Sequence, residues 1–351
     1  MLEGNAVSGI EPQTGTRRFG AEAFAALDLG TNNCRMLVGA PAGDGFRVLD
    51  SFSRIVRLGE GLHSTGRLSQ VAMERAMAAL RACTARLARR PLRGVRAIAT
   101  EACRRAANGP EFLRQVREET GLPIDIISSR EEVELALESC APLLAGGARR
   151  VLLFDIGGGS TELAWVRVDH ANRPALIGYA SLPVGVVSLA ERFGESGFSA
   201  EGFEAMVDDT AARLAPFESV HCIGHEIRDG GVQLLGTSGT VTTLAGVALD
   251  LPRYSRPLVD GTVLTRDAAA RALAHLRDMG RAGLEQHPCV GPERVEFVLP
   301  GCAVFSAINR LWPATQVVVA DRGLREGMLL RMIRADRGRA GGRWPRLRRP
   351  S

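Results

Sequence analysis

The chain has 351 residues, 45% of them apolar, enough to bury one or two ordinary cores, while an aromatic content of 5% offers a nucleic-acid surface few rings for base stacking. Its formal net charge of +5 has one source: RADRGRAGGRWPRLRRPS, from Arg334 to the end, carries seven Arg and one Asp, a net +6, which leaves the rest of the chain at −1. There is no lysine, so all 44 basic residues are Arg, and a Lys-dependent P-loop, a Schiff base and a Lys general base are excluded.

Residues 1–20 lack the apolar core of a signal peptide and read as a disordered extension, as does the Arg-rich tail over 336–351. No run is long and apolar enough to span a membrane. The seven Cys are scattered without a Cys-x-x-Cys pair, which argues against a zinc ribbon or disulfide framework and makes the cytoplasm the expected compartment. Neither a membrane nor a specific nucleic acid is expected as a partner.

In chain order, FAALDLGTNNCRML (Phe24 to Leu37) is an apolar strand that ends in Asp28, Leu29 and Gly30, followed by the small polar residues Thr31, Asn32 and Asn33. FRVLDSFSRIVRL reads as strands leading to Arg57, and Ser69 to Arg89 has apolar residues at helical spacing. VRAIAT (Val95 to Thr100) is a short buried strand running into Glu101 and Arg104. A helix is expected from Pro110 to Thr120, closed by Gly121. Strand Ile124 to Ser128 follows, and Ser129 starts the next helix.

VLLFDIGGGSTEL (Val151 to Leu163) repeats the opening logic: a strand covered on both faces, Asp155, then three glycines and two hydroxyls. Amides of Gly157, Gly158 and Gly159 with the hydroxyls of Ser160 and Thr161 suit a phosphate, and a carboxylate beside phosphate implies a divalent cation between them. The plainer reading is a tight Gly turn with Asp155 as a helix cap. Two such Asp-x-Gly hairpins suggest two similar lobes with phosphate between them. Beyond a β-rich stretch to Val184, helices are expected over Gly185 to Phe193 and Ala200 to Leu214. The segment His221-Cys222-x-x-His225 reads as a loop rather than a metal site, because Gly224 and a Gly-Gly pair lie within or just beyond it. VQLLGTSGTVTTLAG (Val232 to Gly246) gives strand, turn and helix, with Gly236, Ser238, Gly239 and Thr240 forming an anion-friendly turn or a plain strand-to-helix connection. The last strand is Gln316 to Ala320, and Asp321-Arg322-Gly323-Leu324-Arg325-Glu326-Gly327 opens a closing helix.

Taken together, Asp-Leu-Gly-Thr-Asn-Asn, Asp-Ile-Gly-Gly-Gly-Ser-Thr-Glu, Gly-Thr-Ser-Gly-Thr and Asp-Arg-Gly-Leu-Arg-Glu-Gly resemble the exopolyphosphatase and guanosine pentaphosphate phosphohydrolase family, over roughly Phe24 to Ile333. That family belongs to the actin-like superfamily of sugar kinases and heat-shock ATPases. The resemblance implies an α/β fold of two ribonuclease H-like lobes with mixed sheets flanked by helices and a cleft between them. Lobe I is expected over 21–137 with a closing helix counted from 318 to 335, and lobe II over 138–317. The family's first loop usually reads Gly-Ser-Asn-Ser, where this chain has Gly30-Thr31-Asn32-Asn33, so the hydroxyl contacts of that loop should differ, with Thr31 and Asn32 as its candidate phosphate ligands. Longer members carry a further helical domain that helps hold extended polyphosphate, and this sequence ends before one could fit.

The resemblance assigns roles residue by residue. Asp28, Asp155 and Glu162 become the metal-side carboxylates for Mg²⁺, with Mn²⁺ as the alternative; Glu162 alone would also suit the first turn of a helix. Ser129-x-x-Glu132 is by pattern a capping box, whereas the resemblance places the catalytic Glu at Glu132, with Glu131 as runner-up. Arg104 corresponds to a phosphate-contacting Arg, and Arg57 and Arg35 are weaker candidates. The implied reaction is release of terminal phosphate from polyphosphate or guanosine pentaphosphate by a Glu-activated water. A small-molecule kinase or ATPase, and a non-catalytic polyphosphate or alarmone sensor, stay open. A homodimer rests on resemblance alone.

Overall fold

The structure, a computed structural model, describes residues 23–144 and 147–341. The extension expected over 1–20, and the part of the expected tail beyond 341, lie outside the described residues.

The first sheet comprises β1 (Ala23–Leu29), β2 (Asn33–Ala42), β3 (Gly45–Ile55), β4 (Leu92–Ala99) and β5 (Ile124–Ile126), in the order β3-β2-β1-β4-β5. Strands β1, β2 and β3 pair antiparallel, and β4 and β5 extend the other side in parallel. The second sheet comprises β6 (Arg150–Ile156), β7 (Thr161–Val168), β8 (Pro174–Leu182), β9 (Val232–Thr237), β10 (Val263–Thr265) and β11 (Gln316–Ala320). Its order, β8-β7-β6-β9-β11-β10, repeats the first sheet's order and its switch from antiparallel to parallel, with β10 added at the edge. These are the two mixed-sheet lobes that the repeated Asp-x-Gly hairpin implies. Asp28 and Asp155 are each the penultimate residue of the first strand of their lobe.

Apolar runs without polar alternation form β1 and β6 because both faces of each strand are covered. Leu27 and Leu29 point into a cluster with Ala76, Leu80 and Phe112 from the helices Gln70–Leu87 and Gly109–Thr120. Leu152 and Phe154 point into a larger cluster under the helices Ala200–His221 and Val295–Leu311. A third cluster joins the lobes: Phe24 and Ala26 of β1, Val151 and Leu153 of β6, Val133 and Leu137 of the helix Ser129–Cys140, and Met328 and Leu329 of the helix Leu324–Gly341. Two helices are therefore packed between the sheets, and this fixes the floor of the cleft.

Three expectations change. The closing helix begins at Leu324, since residues 316–320 are β11, and runs to Gly341; Asp336 pairs with Arg93 at 2.6 Å and Arg337 donates to the Gly43 carbonyl oxygen, tying the extra length to the first lobe. The helix expected over Ala200 to Leu214 continues to His221. The segment read as a loop is a helix break: Cys222 takes φ 49°, and the helix Ile223–Arg228 follows with Gly224 inside it. There His221 meets the Phe217 ring with centroids 4.5 Å apart, while His225 faces Asp229 at 3.1 Å on the surface.

Candidate active site

A cavity of about 750 Å³ lies between the sheets, lined from the first lobe by Asp28, Thr31, Asn32, Arg35, Glu101 and Glu132 and from the second by Asp155, Gly157 to Ser160 and Glu162. After β6 the chain turns straight back into β7, so no helix begins there for Asp155 to cap, and Glu162 is a strand residue rather than helix-dipole charge. Strand register alone faces Asp155 with Glu162 across the β6–β7 hairpin.

The glycines of that hairpin serve close approach as well as amide exposure. A Cβ on Gly158 would sit 3.1 Å from Thr31 Cβ and 3.2 Å from the Asn32 amide nitrogen, and one on Gly159 would sit 2.9 Å from Thr31 Oγ1. The two Asp-x-Gly loops thus touch across the cleft. The Gly157 and Gly158 carbonyls accept from the Val186 and Val187 amides at 3.0 and 2.8 Å, and the Gly157 amide donates to the Ser160 carbonyl at 2.9 Å. Among the described residues no hydrogen bond engages the Gly158 and Gly159 amides, which leaves them for an anion. Thr161 does not join them: its hydroxyl is fully buried and donates to the Val184 carbonyl at 2.7 Å.

Glu132 is buried, 7% exposed, on the first turn of the helix Ser129–Cys140. The capping reading fails by one residue. Ser128 is the N-cap and its Oγ accepts from the Glu131 amide at 3.2 Å, so the Glu132 carboxylate has no capping role. Glu131 instead pairs with Arg96 and approaches Arg331 at 3.8 Å, away from the cavity lining. Arg104 does not project into the cavity as a free phosphate ligand. One terminal nitrogen donates to Glu132 Oε2 at 3.1 Å and to the Ile127 carbonyl at 2.9 Å, and the other to Glu101 Oε2 at 2.7 Å.

Buried negative charge dominates the electrostatics. Burial pushes Asp155 up to about 6 and Glu162 up to about 7, the latter raised further by Asp155 and held down in part by the Ser160 and Ser181 hydroxyls at 2.6 and 2.9 Å. Glu132 is pushed well above the usual carboxylate range by burial and by Glu162, against the pull of Arg104. Asp28 is raised by burial, opposed by Arg35 and Arg325. Its Oδ1, like Asn32 Oδ1, is buried without a hydrogen-bond partner. Orphaned acceptors among mutually repelling carboxylates fit a hard divalent cation of the Mg²⁺ kind, which binds one or two carboxylates and keeps waters and phosphate oxygens as its other ligands. No three acidic, His or Cys side chains among the described residues form a complete cage.

The third turn is mixed. Ser238 and Gly239 line the cavity, and Ser238 adopts φ 121°, a strained value for a residue with a side chain, while its Oγ caps the helix Gly239–Ala248 by accepting from the Thr240 amide at 3.2 Å. Gly236 is packing: a Cβ there would meet Phe154 Cζ at 2.6 Å. Arg57 is not among the lining residues and pairs with Glu296 at 3.4 Å. Sequence reading missed Glu101 and Arg325 as cavity residues. The Glu101–Arg104 spacing of three on one helical turn was a signal for the first.

A cleft between two like lobes, bordered by open glycine amides and clustered carboxylates, defines a class of two-lobed α/β proteins built to hold a phosphate-bearing ligand between the sheets. The profile of the Ppx/GppA phosphatase family matches residues 38–335. A Haemophilus influenzae protein named "Putative exopolyphosphatase" is 31% identical over 323 residues, covering 91% of this chain and 93% of that protein. The crystal structure of an exopolyphosphatase-like protein superimposes with a TM-score of 0.79 at 26% identity, covering 88% of this chain and 97% of that one. An Aquifex aeolicus Ppx/GppA family member gives a TM-score of 0.73 at 25% identity, covering 90% and 98%. The chain belongs to the Ppx/GppA phosphatase family.

Proposed function

We propose that this chain is a divalent-cation-dependent phosphohydrolase that removes the terminal phosphate of inorganic polyphosphate, and of guanosine pentaphosphate, which presents the same kind of terminal anhydride. One observation carries the reading: Glu132 is a buried carboxylate on the cavity wall, freed from helix capping and oriented by Arg104. The names of the Haemophilus influenzae relative and of the 26%-identical structure support polyphosphate as the substrate.

The terminal phosphate lies against the Gly158 and Gly159 amides, while the Ser160 hydroxyl is committed to Glu162 at 2.6 Å. Water attacks the terminal phosphorus in line, Glu132 accepts the water's proton, and the phosphorus–bridging-oxygen bond breaks with its electrons on the departing chain. Arg104 keeps the Glu132 carboxylate turned toward the cavity. Asp28 and Asp155, with Glu162 behind Asp155, would hold Mg²⁺ or Mn²⁺, which supplies positive charge to the phosphoryl oxygens. The same reading puts the reaction in the cytoplasm and needs no nucleic-acid partner.

The test is orthophosphate release from tripolyphosphate and from guanosine pentaphosphate, in Mg²⁺ and in excess chelator, with no alcohol acceptor added. Release with Mg²⁺ alone supports the reading. ATP consumption that requires an added acceptor would point to a kinase, and tight binding without turnover to a sensor.

A further inference from the structure

A second cavity, of about 20 Å³, shares Thr31, Glu101 and Gly159 with the large one and is otherwise lined by residues that the mechanism does not use, His63, Arg105 and Glu191 among them. It has room for a water and none for a phosphate. The three shared residues form the partition between the two cavities, and the partition is made of side chains. A Cβ on Gly159 would meet Thr31 Oγ1 at 2.9 Å and both Glu101 Cγ and Thr31 Cγ2 at 3.2 Å, with no backbone atom of another segment as near. Side chains of this kind change rotamer far faster than a backbone rearranges.

His63, Arg105 and Glu191 are exposed, so the small cavity borders solvent, and one hydrogen bond clasps it there. The Gly61 amide donates to Glu191 Oε1 at 2.8 Å, and among the described residues no other hydrogen bond joins the loop 57–61 to the helix Val186–Phe193. Both sides of this clasp are rooted in the hairpins that touch across the cleft: the Gly59 amide donates to the Thr31 carbonyl at 2.9 Å, and the Val187 amide to the Gly158 carbonyl at 2.8 Å. The start of the loop is held independently, because Arg57 pairs with Glu296 at 3.4 Å and lies 5.5 Å over the Phe297 ring. Turning one exposed carboxylate aside therefore opens the small cavity without parting the lobes. Arg105, whose contact with Glu101 is a long 3.7 Å, then stands as a cation beside the opening.

We propose that this small cavity is the exit for orthophosphate, with the Thr31 and Glu101 side chains as its inner gate and the Gly61–Glu191 bond as its outer one. The assignment rests on the phosphohydrolase reading, which holds the terminal phosphate at the Gly158 and Gly159 amides. A phosphate cut from a long chain is left at those amides with the rest of the chain still in the large cavity, and Gly159 belongs to the walls of both cavities. The exit releases that phosphate while the chain stays. A short leaving fragment clears the large cavity by itself, so the phosphate behind it has the main opening as a second way out.

The test compares wild type with His63→Trp, which fills the outer opening with an indole, and with Glu191→Ala, which removes the clasp and fills nothing, on long-chain polyphosphate and on tripolyphosphate with Mg²⁺. Cleaved orthophosphate is measured after acid quench, and free orthophosphate with a fluorescent phosphate sensor. In His63→Trp the first cleavage of the long chain should keep its wild-type rate while free orthophosphate appears about tenfold more slowly, and turnover of tripolyphosphate should stay within about twofold of wild type. Glu191→Ala should free orthophosphate from the long chain at least as fast as wild type, which separates a blocked passage from a damaged loop. Free orthophosphate that follows cleavage in His63→Trp as closely as in wild type overturns the proposal, and so does an equal slowing on both substrates. Glu191→Ala slowed as much as His63→Trp overturns it as well, since the clasp and not the passage would then matter. A wild type that cleaves neither substrate removes the phosphohydrolase reading, and the exit falls with it; a wild type that cleaves both, with no chain-length effect in His63→Trp, removes the exit alone.

Discussion

Arg104 donates to Glu132 across 3.1 Å, from the helix after β4 to the helix after β5, and so ties the carboxylate that faces the cavity to the body of the first lobe. Both side chains are largely buried, at 22% and 9% exposure, so the pair answers a desolvation cost rather than decorating the surface.

Removing the guanidinium leaves the buried Glu132 without the cation it hydrogen-bonds and Glu101 with only the longer contact to Arg105 at 3.7 Å. Arg104→Met should lower stability by about 3 kcal/mol, because the cost is that of uncompensated buried charge. Urea unfolding midpoints of wild type, Arg104→Met and the double variant Arg104→Met/Glu101→Gln measure it. Partial recovery in the double variant is expected; a single variant as stable as wild type contradicts the arrangement.

The pH dependence of stability should run opposite to ordinary acid denaturation. Asp155 and Glu162 have folded values raised to about 6 and about 7, from 3.8 and 4.5. The folded state binds these protons more tightly than the unfolded chain, so their contribution is fully present below the unfolded values and is lost as pH rises through the folded ones. In chelator, Tm should therefore climb as pH is lowered from about 8 to about 5. The rise should shrink when Mg²⁺ is present, since the cation and the protons compensate the same charge. A Tm that falls steadily over that interval in chelator would contradict the carboxylate cluster.

Glycines around the cleft should differ in kind. A Cβ on Gly185 would meet the Gly158 and Gly157 carbonyl oxygens at 2.5 and 2.6 Å, both backbone, whereas one on Gly159 would meet the Thr31 side chain at 2.9 Å. Gly185→Ala should cost about 1–3 kcal/mol in denaturant unfolding, as overpacking against an immobile neighbour does. Gly159→Ala should leave stability nearly intact and lower turnover by moving Thr31 out of the first loop. Equal effects of the two on stability would argue that the loops do not touch as described.

Much of the fold was legible because its signals are local. Short apolar runs leading into Gly mark β1, β6 and β9, and the repeat of Asp28 in Asp155 announces the second lobe. What failed was one residue of register or a long-range partner. Ser128 and Ser129 are equivalent on pattern, and only the observed Ser128 cap separates Glu131 from Glu132. Thr161 and Gly236 share their loops' composition with their neighbours, yet one hydroxyl turns to Val184 and the other position packs on Phe154. Arg104 was visible as a cation, but its commitment to Glu132 depends on two helices that meet only in the folded lobe. Arg325 follows the last strand, far in sequence from Asp28, and nothing local marks it as a cavity residue.

Single-turnover release of orthophosphate from tripolyphosphate by Glu132→Gln reads out whether Glu132 activates water. With Mg²⁺ present, the variant should bind tripolyphosphate as wild type does and release phosphate about 100- to 10,000-fold more slowly. A variant that binds normally and turns over at the wild-type rate would contradict the claim and leave Glu132 as no more than the partner of Arg104.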